Sequence, residues 1–277
     1  VENMSKKQMI LDAAVELFAE KGIEATSVQQ ITEKCGISKG AFYLHFKSKE
    51  QLTVAILDYF MQNVLLEIDR SVISAQTDDD KLYSYFYQAL SNFQQYKSLA
   101  LIFLREQMAD LGELCFQKMM FYEGVTMLTI SEMLDSIYGD KIIGSKYDLI
   151  LFMQGMLKTY MNALLFINQS LDIDLIARSL VEKTNLFAEH SSIHVLNEIH
   201  LSNVSPDISN DIILAELEAI RDHIELASLE QQSIEVLIEQ FSHAALQPAI
   251  VIGMLHNIKD NEKLRWVSFL IKHSLNK

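Results

Sequence analysis

Only two prolines, Pro206 and Pro248, and nine glycines interrupt these 277 residues. Both residue types stop or weaken helices, so long stretches of the chain hold nothing that would end one. No segment alternates apolar and polar residues persistently enough to form a half-buried strand. The expected fold class is therefore all-α. With 49% apolar and 22% charged residues, the chain has enough hydrophobic surface for one large core or two adjoining ones.

Cys35 and Cys115 stand far apart and lack any CxxC or Cys/His ligand spacing, which argues against a disulfide framework and fits a reducing cytoplasm. No charged-then-apolar leader opens the sequence, and runs such as Leu99 to Leu104 fall far short of the roughly 18–20 apolar residues that span a bilayer. Neither secretion nor a membrane partner is expected.

A net charge of −14 argues at first against a nucleic-acid partner, but its distribution reverses the argument. Residues 1–50 balance seven lysines against seven carboxylates, so the whole excess falls on 51–277. Between Lys34 and Lys49 stand Lys34, Lys39, His45, Lys47 and Lys49 with no carboxylate among them. A small cationic patch is carried on an acidic body.

The first fifty residues read as short helices with sharp ends. Ile10, Ala14, Leu17 and Phe18 recur at helical spacing from Lys6 to Lys21, and Gly22 ends that helix. Thr26 is the expected cap of a second helix, with Gln29 completing a capping box and Val28, Ile31 and Cys35 on its inner face. Gly36 breaks it. Ser38 caps a third, running to about Phe46 with Phe42 and Phe46 inward, and Ser48 with Gln51 opens a fourth at Lys49.

Two short helices joined by a turn at Gly36-Ile37 meet the requirements of a helix-turn-helix. The outer face of the second carries Lys39, Gly40, Ala41, Tyr43, Leu44 and His45. Glycine allows close backbone approach to DNA, alanine suits a thymine methyl, and lysine reaches a guanine edge or a phosphate. Tyr43, His45 and Lys49 suit phosphates, Lys49 with the positive end of the fourth helix behind it.

The segment Thr26-Ser27-Val28-Gln29-Gln30-Ile31, followed by Gly36 through Leu52, resembles the DNA-binding domain of the tetracycline-repressor (TetR) family nearly position for position. The resemblance covers some 48 residues and implies a sequence-specific, DNA-binding transcriptional repressor. It marks Thr26, Ser27, Lys39, Gly40, Ala41, Tyr43, His45 and Lys49 as DNA-contacting positions; Ser38, Leu44 and Lys47 complete the candidate surface. At Ala41 relatives often carry a hydroxyl or amide, so readout at that step is expected to be apolar.

Three regions are expected: a DNA-binding head at 1–48, a ligand-binding and dimerisation body at 49–200, and a helical extension at 201–277. The body should hold helices at about 49–74, 81–97, 99–110, 113–138, 145–168 and 172–189, with Asp78-Asp79-Asp80 at the start of the second. These are rich in Tyr, Phe and Met, residues that fill cores or line pliable cavities. At least two thirds of them are assigned to core. By resemblance an inducer pocket lies among the fifth to eighth helices, where Tyr87, Phe103, Glu106, Met119, Tyr122, Glu123, Met156 and Tyr160 are the candidate ligand residues. Aromatic faces and carboxylates favour a lipophilic cation; a fatty-acyl compound remains the open alternative.

Leu149 to Asn168 with Asp172 to Glu189 resembles the helix pair through which such proteins form homodimers, here at about 145–190. Gly155 would admit a close partner helix. Members of the family usually end near position 200, whereas this chain continues with helical patterns at about 210–227, 230–246, 249–258 and 261–275. Six basic against eleven acidic residues make DNA contact by this extension unexpected. His190 and His194, at i and i+4, lack an HExxH pattern or a cysteine partner, so a solvated helix end is favoured over zinc. With no nucleophile elbow or phosphate loop either, no catalytic residue, metal or cofactor is expected.

Overall fold

The computed structural model describes residues 6–105, 112–167, 171–197, 208–242 and 246–275, without the side chains of 103–105. Among the described residues there is no strand. The chain divides into two compact units, Val1–Ser205 and Pro206–Lys277.

The first unit holds nine described α-helices: α1 (Lys6–Lys21), α2 (Val28–Cys35), α3 (Lys39–Tyr43), α4 (Lys49–Ile73), α5 (Asp78–Gln95), α6 (Lys97–Arg105), α7 (Glu113–Tyr138), α8 (Lys146–Phe166) and α9 (Ile173–His190). Helices α1 to α3 form a small head around Ile10, Ala14, Phe18, Ile31 and Phe42, all almost fully buried. At about 1.5–3 kcal/mol for each large apolar side chain removed from water, these few residues supply much of what holds the head together. Long α4 runs from the head into the body, where it packs on α5 and α7.

The body's core joins Ile68 of α4, Leu82, Phe86 and Leu90 of α5, Ile130 and Leu134 of α7, Leu149 and Met153 of α8, and Ala177 and Leu180 of α9. Thr77 caps α5 by accepting from the Asp80 N–H at 3.1 Å, and three aspartates fill its first turn, where the helix dipole favours negative charge. Asp172 caps α9 in the same way, accepting from the N–H groups of Asp174 and Leu175. Two expected starts shift by a few residues, because Lys97 opens α6 and the acidic run belongs to α5 itself.

Helix α8 is long and apolar enough to cross a bilayer by length and composition, although only 22% of its most apolar stretch is buried. Leu149, Ile150, Met153 and Leu157 face the core. Leu151 and Phe166 of α8, with Leu175 and Leu186 of α9, are large apolar side chains left facing outward. Gly155 lies on this outer surface with nothing near the position a side chain would occupy.

The second unit is built from α10 (Asn210–His223), α11 (Ser228–Ser242), α12 (Pro248–Ile258) and α13 (Arg265–Leu275), the last entered through a 3-10 turn at Glu262–Leu264. Consecutive helices pack on each other, and α13 closes back on α10. Pro248 sits at the first turn of α12, where its missing N–H costs no hydrogen bond. Trp266 stacks on Phe269, which meets His273 edge-on, and these rings with Leu270 and Ile271 form the interior of α13.

Candidate nucleic-acid interface

The geometry of the head begins at the turn between α1 and α2. Ser27, not Thr26, caps α2: its hydroxyl accepts from the Gln30 N–H at 3.2 Å, and the Gln30 side chain accepts from the Ser27 N–H at 2.8 Å. The capping box therefore lies one residue later than Thr26–Gln29. Thr26 is fully buried, and its hydroxyl donates to the Gly22 carbonyl at 2.8 Å, which ties the turn to the end of α1. Gly36 ends α2 in the left-handed region at φ 67°, which favours a residue without a side chain.

Ser38 starts α3 by accepting from the Ala41 N–H at 3.1 Å. The helix ends at Tyr43, shorter than expected, and Leu44 to Phe46 follow as a turn whose N–H groups at His45 and Phe46 return to the Phe42 carbonyl. Phe42 and Phe46 are buried. Their neighbours point the other way: Tyr43 is 52% and Leu44 85% exposed, and Lys39, Gly40, His45 and Lys47 are exposed beside them. Ala41 is half-buried. The Lys39 ammonium reaches the Gln29 side-chain oxygen at 3.3 Å, so α2 and α3 share one outward polar edge.

Lys49 behaves differently. Its ammonium donates to the carbonyls of Ile23 at 2.8 Å, Thr26 at 3.0 Å and Glu24 at 3.2 Å, which uses its three protons on one turn. Lys34 is likewise engaged, by Glu16 at 2.6 Å, and that hydrogen bond raises its pKa. Thr26 and Lys49 are therefore internal fasteners of the head rather than groove-facing side chains. Of the cationic patch, Lys39, His45 and Lys47 remain turned outward.

At the start of α4, Ser48 accepts from the Gln51 N–H at 3.1 Å, but the Gln51 side chain returns to the Lys47 N–H instead of that of Ser48. The next residue, Glu50, crosses to the body and accepts from the Leu114 N–H at 3.2 Å. Helix α7 has only Gly112 at its N-cap, so Glu50 supplies a cap the local sequence lacks. Gly112 sits at φ 80°, and a side chain there would meet the Glu50 carboxylate at 2.5 Å. Sequence reasoning passed over Glu50; the one signal was a long apolar-periodic helix beginning after glycine with no Ser, Thr, Asp or Asn to cap it.

The α4–α7 seam continues inward with Asp58, which accepts from the Tyr122 hydroxyl at 2.7 Å and pairs with Lys118 at 3.2 Å. Tyr122 thus faces α4 from a fully buried position. The other candidate ligand residues do not converge on it. Glu123 is exposed and accepts from the Gln154 amide at 3.1 Å; Tyr87 is exposed and stacked on Tyr83; Met119, Met156 and Tyr160 are half-buried, the last two against the body core. Glu106 and the side chain of Phe103 lie outside the described residues.

Among the described residues, other side chains line clefts elsewhere. One of about 310 Å³ lies between α1, α4 and α6; one of about 440 Å³ lies on the outer side of α8 and α9 around Phe152 and Phe187; one of about 190 Å³ lies between α10 and α11 in the second unit. Helix α9 ends at His190, so His190 and His194 do not share a helical face, and no metal-binding group of acidic, His or Cys side chains occurs among the described residues.

Comparison with known proteins agrees with this geometry. The profile of the "Bacterial regulatory proteins, tetR family" matches residues 10–56, which take in most of α1, α2 and α3 and the start of α4. An uncharacterised HTH-type transcriptional regulator, YerO of Bacillus subtilis, is 30% identical over 94% of this chain and 93% of its own length. A second from the same organism, YuxN, is 26% identical over 94% of both chains. Alignments of that extent take in most of the second unit. The transcriptional regulator FadR from Bacillus subtilis, solved in complex with stearoyl-CoA, matches at a TM-score of 0.53 and 22% identity, covering 98% of its own chain but 67% of this one.

Proposed function

The chain belongs to the tetR family of bacterial regulatory proteins, and from that premise we propose that it is a dimeric repressor, acting in the cytoplasm, that a small apolar ligand releases from operator DNA. The observation that carries the reading is the pairing of opposites on α3. Phe42 is wholly buried, while Tyr43 and Leu44 are held in water beside Lys39. Tyr43 at the end of α3 and Leu44 in the turn after it form an adjoining exposed pair beside Lys39, a surface that a major groove can cover. Ser27, Ser38, Lys39, Gly40, Ala41, Tyr43, Leu44, His45 and Lys47 form the proposed contact surface, Ser27 and Ser38 through the N-terminal ends of α2 and α3.

Two copies are required, because one short recognition helix reads only a few base pairs and two are normally set about 34–36 Å apart. The outward apolar side chains of α8 and α9 supply a self-complementary surface for a two-fold pair within 145–190. Packing the two helix pairs together makes a four-helix bundle.

Ligand control follows if a bound molecule favours a different spacing of the two heads. A coupling of about 1–3 kcal/mol changes DNA affinity roughly 5- to 150-fold. The stearoyl-CoA held by FadR supports an acyl chain as one apolar ligand, with a lipophilic cation the other. The test is selection of bound duplexes from a random pool by the full chain, then binding titrations with Lys39→Ala and Tyr43→Ala and with added acyl-coenzyme A or cationic dye. Wild-type DNA affinity in both variants would remove the proposed surface.

A further inference from the structure

Helix α1 buries one face in the head core and turns a second, mixed face with Leu11 and Val15 at its centre the other way. Ile10, Ala13, Ala14, Leu17 and Phe18 are buried, and α1 packs on α2, α6 and α4. Gln8, Leu11, Asp12, Val15 and Glu16 recur at the same helical spacing around the other side, where they form one wall of the cleft of about 310 Å³. Ile56 and Tyr59 of α4 and Leu99 of α6 form the opposite wall. Ile56 and Leu99 are buried, whereas Tyr59 is half-exposed.

The lining fixes the class of molecule. Leu11, Val15, Ile56, Tyr59 and Leu99 present an apolar floor with one aromatic face, and the charged groups at the edge are both carboxylates. Glu16 is neutralised by Lys34. Asp12, exposed at the edge, accepts from the neutral Gln8 amide at 2.9 Å, so a carboxylate stands at the opening. The volume lies at the small end of the roughly 300–1,000 Å³ range of ligand sites. An aromatic wall and a carboxylate around an apolar floor recognise a cation with a flat apolar body.

We propose that this cleft is a binding site for small lipophilic monocations, separate from any ligand site in the body, and that its occupation sets how α1 sits against α4 and α6. Because α1 also packs on α2, a molecule wedged between α1 and α4 acts directly on the helix-turn-helix. The binding claim stands on the cleft alone; its effect on DNA rests on the reading of α2 and α3 given above.

The experiment uses the full chain without DNA and follows berberine, a flat fluorescent monocation, by fluorescence titration, with 1-anilinonaphthalene-8-sulfonate as an anionic counterpart. Saturable binding of one berberine per chain is expected. Val15→Trp, which fills the cleft, should weaken it at least tenfold; Asp12→Asn should weaken berberine several-fold and strengthen the anionic dye; Ile224→Ala, in the cleft of the second unit, should change neither. Should circular dichroism show Val15→Trp unfolded, Tyr59→Ala takes its place, with the same loss expected from removal of the aromatic wall. Berberine affinity unchanged by the folded cleft variant, lost instead in Ile224→Ala, or never saturable overturns the site. In a separate titration with operator DNA, berberine should lower the affinity of wild type and not of Val15→Trp or its substitute; equal effects on both would overturn the coupling while leaving the binding result intact.

Discussion

The ammonium of Lys49 donates to the carbonyl of Ile23 at 2.8 Å, across 26 residues of chain, and thereby fastens the first turn of α4 to the loop that precedes α2. With Thr26 and Glu24 also accepting from it, this one side chain satisfies three backbone oxygens. Hydrogen bonds to a charged group are worth about 1.5–3 kcal/mol each when protected, and less where, as here, water competes. Lys49→Met should therefore lower stability by about 1–3 kcal/mol by chemical denaturation. It should weaken DNA binding while leaving the salt dependence of that binding unchanged. A slope of log K against log salt that falls by about one would show a phosphate contact instead.

Lys39→Ala and Tyr43→Ala should do the converse. Both side chains point outward, so the melting temperature should hold within about a degree or two, as surface changes do. Operator affinity should fall by about tenfold or more, the loss of one good contact of roughly 1–3 kcal/mol. Calorimetry beside anisotropy titrations checks both halves. Phe42→Ala, from the opposite face of the same helix, should cost about 3–5 kcal/mol through the cavity it leaves.

The head was legible in the sequence because its ends are written in local chemistry: Gly36, Ser38 and Ser48 fall where a left-handed turn and two caps are needed. What local patterns could not show is where a long side chain goes. Lys49 looks like a phosphate ligand by position and charge, and only the fold brings three carbonyls to it from 23 to 26 residues away. The same blindness applied to Thr26 against Ser27, since either hydroxyl could begin α2 and burial decided between them. In the body, helix existence followed from periodicity. The grouping of Tyr87, Tyr122 and Glu123 did not, because one-dimensional proximity on α5 and α7 leaves open which flank of each helix a residue occupies.

Association should depend on the outer surface of α8 and α9. Leu175→Glu and Leu186→Glu, at positions 65% and 50% exposed, place charge where two copies would meet. Sedimentation should show the wild type as a dimer at micromolar concentration and the double variant as a folded monomer. A double variant that stays dimeric would locate the interface elsewhere.

Cys115 is buried at the start of α7, and burial, with the carboxylates of Glu50 and Asp58 nearby, pushes its thiol up to about 11 from an ordinary value of 9.0. The neutral thiol is thus the folded form. Its contribution is complete below about pH 9 and is lost as pH rises toward 11, because the unfolded chain gives up that proton first. Between pH 8.5 and 10.5 the denaturation midpoint of wild type should fall more steeply than that of Cys115→Ala. Parallel curves would show that this thiol does not govern alkaline stability.

The reach of Glu50 to Leu114 also bears on how such a protein could be recombined. Lys49 and Glu50 are adjacent, yet one grips the loop before α2 and the other completes the start of α7, so the seam between reading head and body runs through a single dipeptide. A chimera that transplants a foreign head by cutting just before Lys49 would keep the hook to α7 but require the graft to offer carbonyls at the positions of Ile23, Glu24 and Thr26. Cutting after Glu50 would require the incoming segment to bring its own acid opposite Gly112. Exchange of binding specificity in this protein is therefore a matter of matching two latches, one on each side of the join.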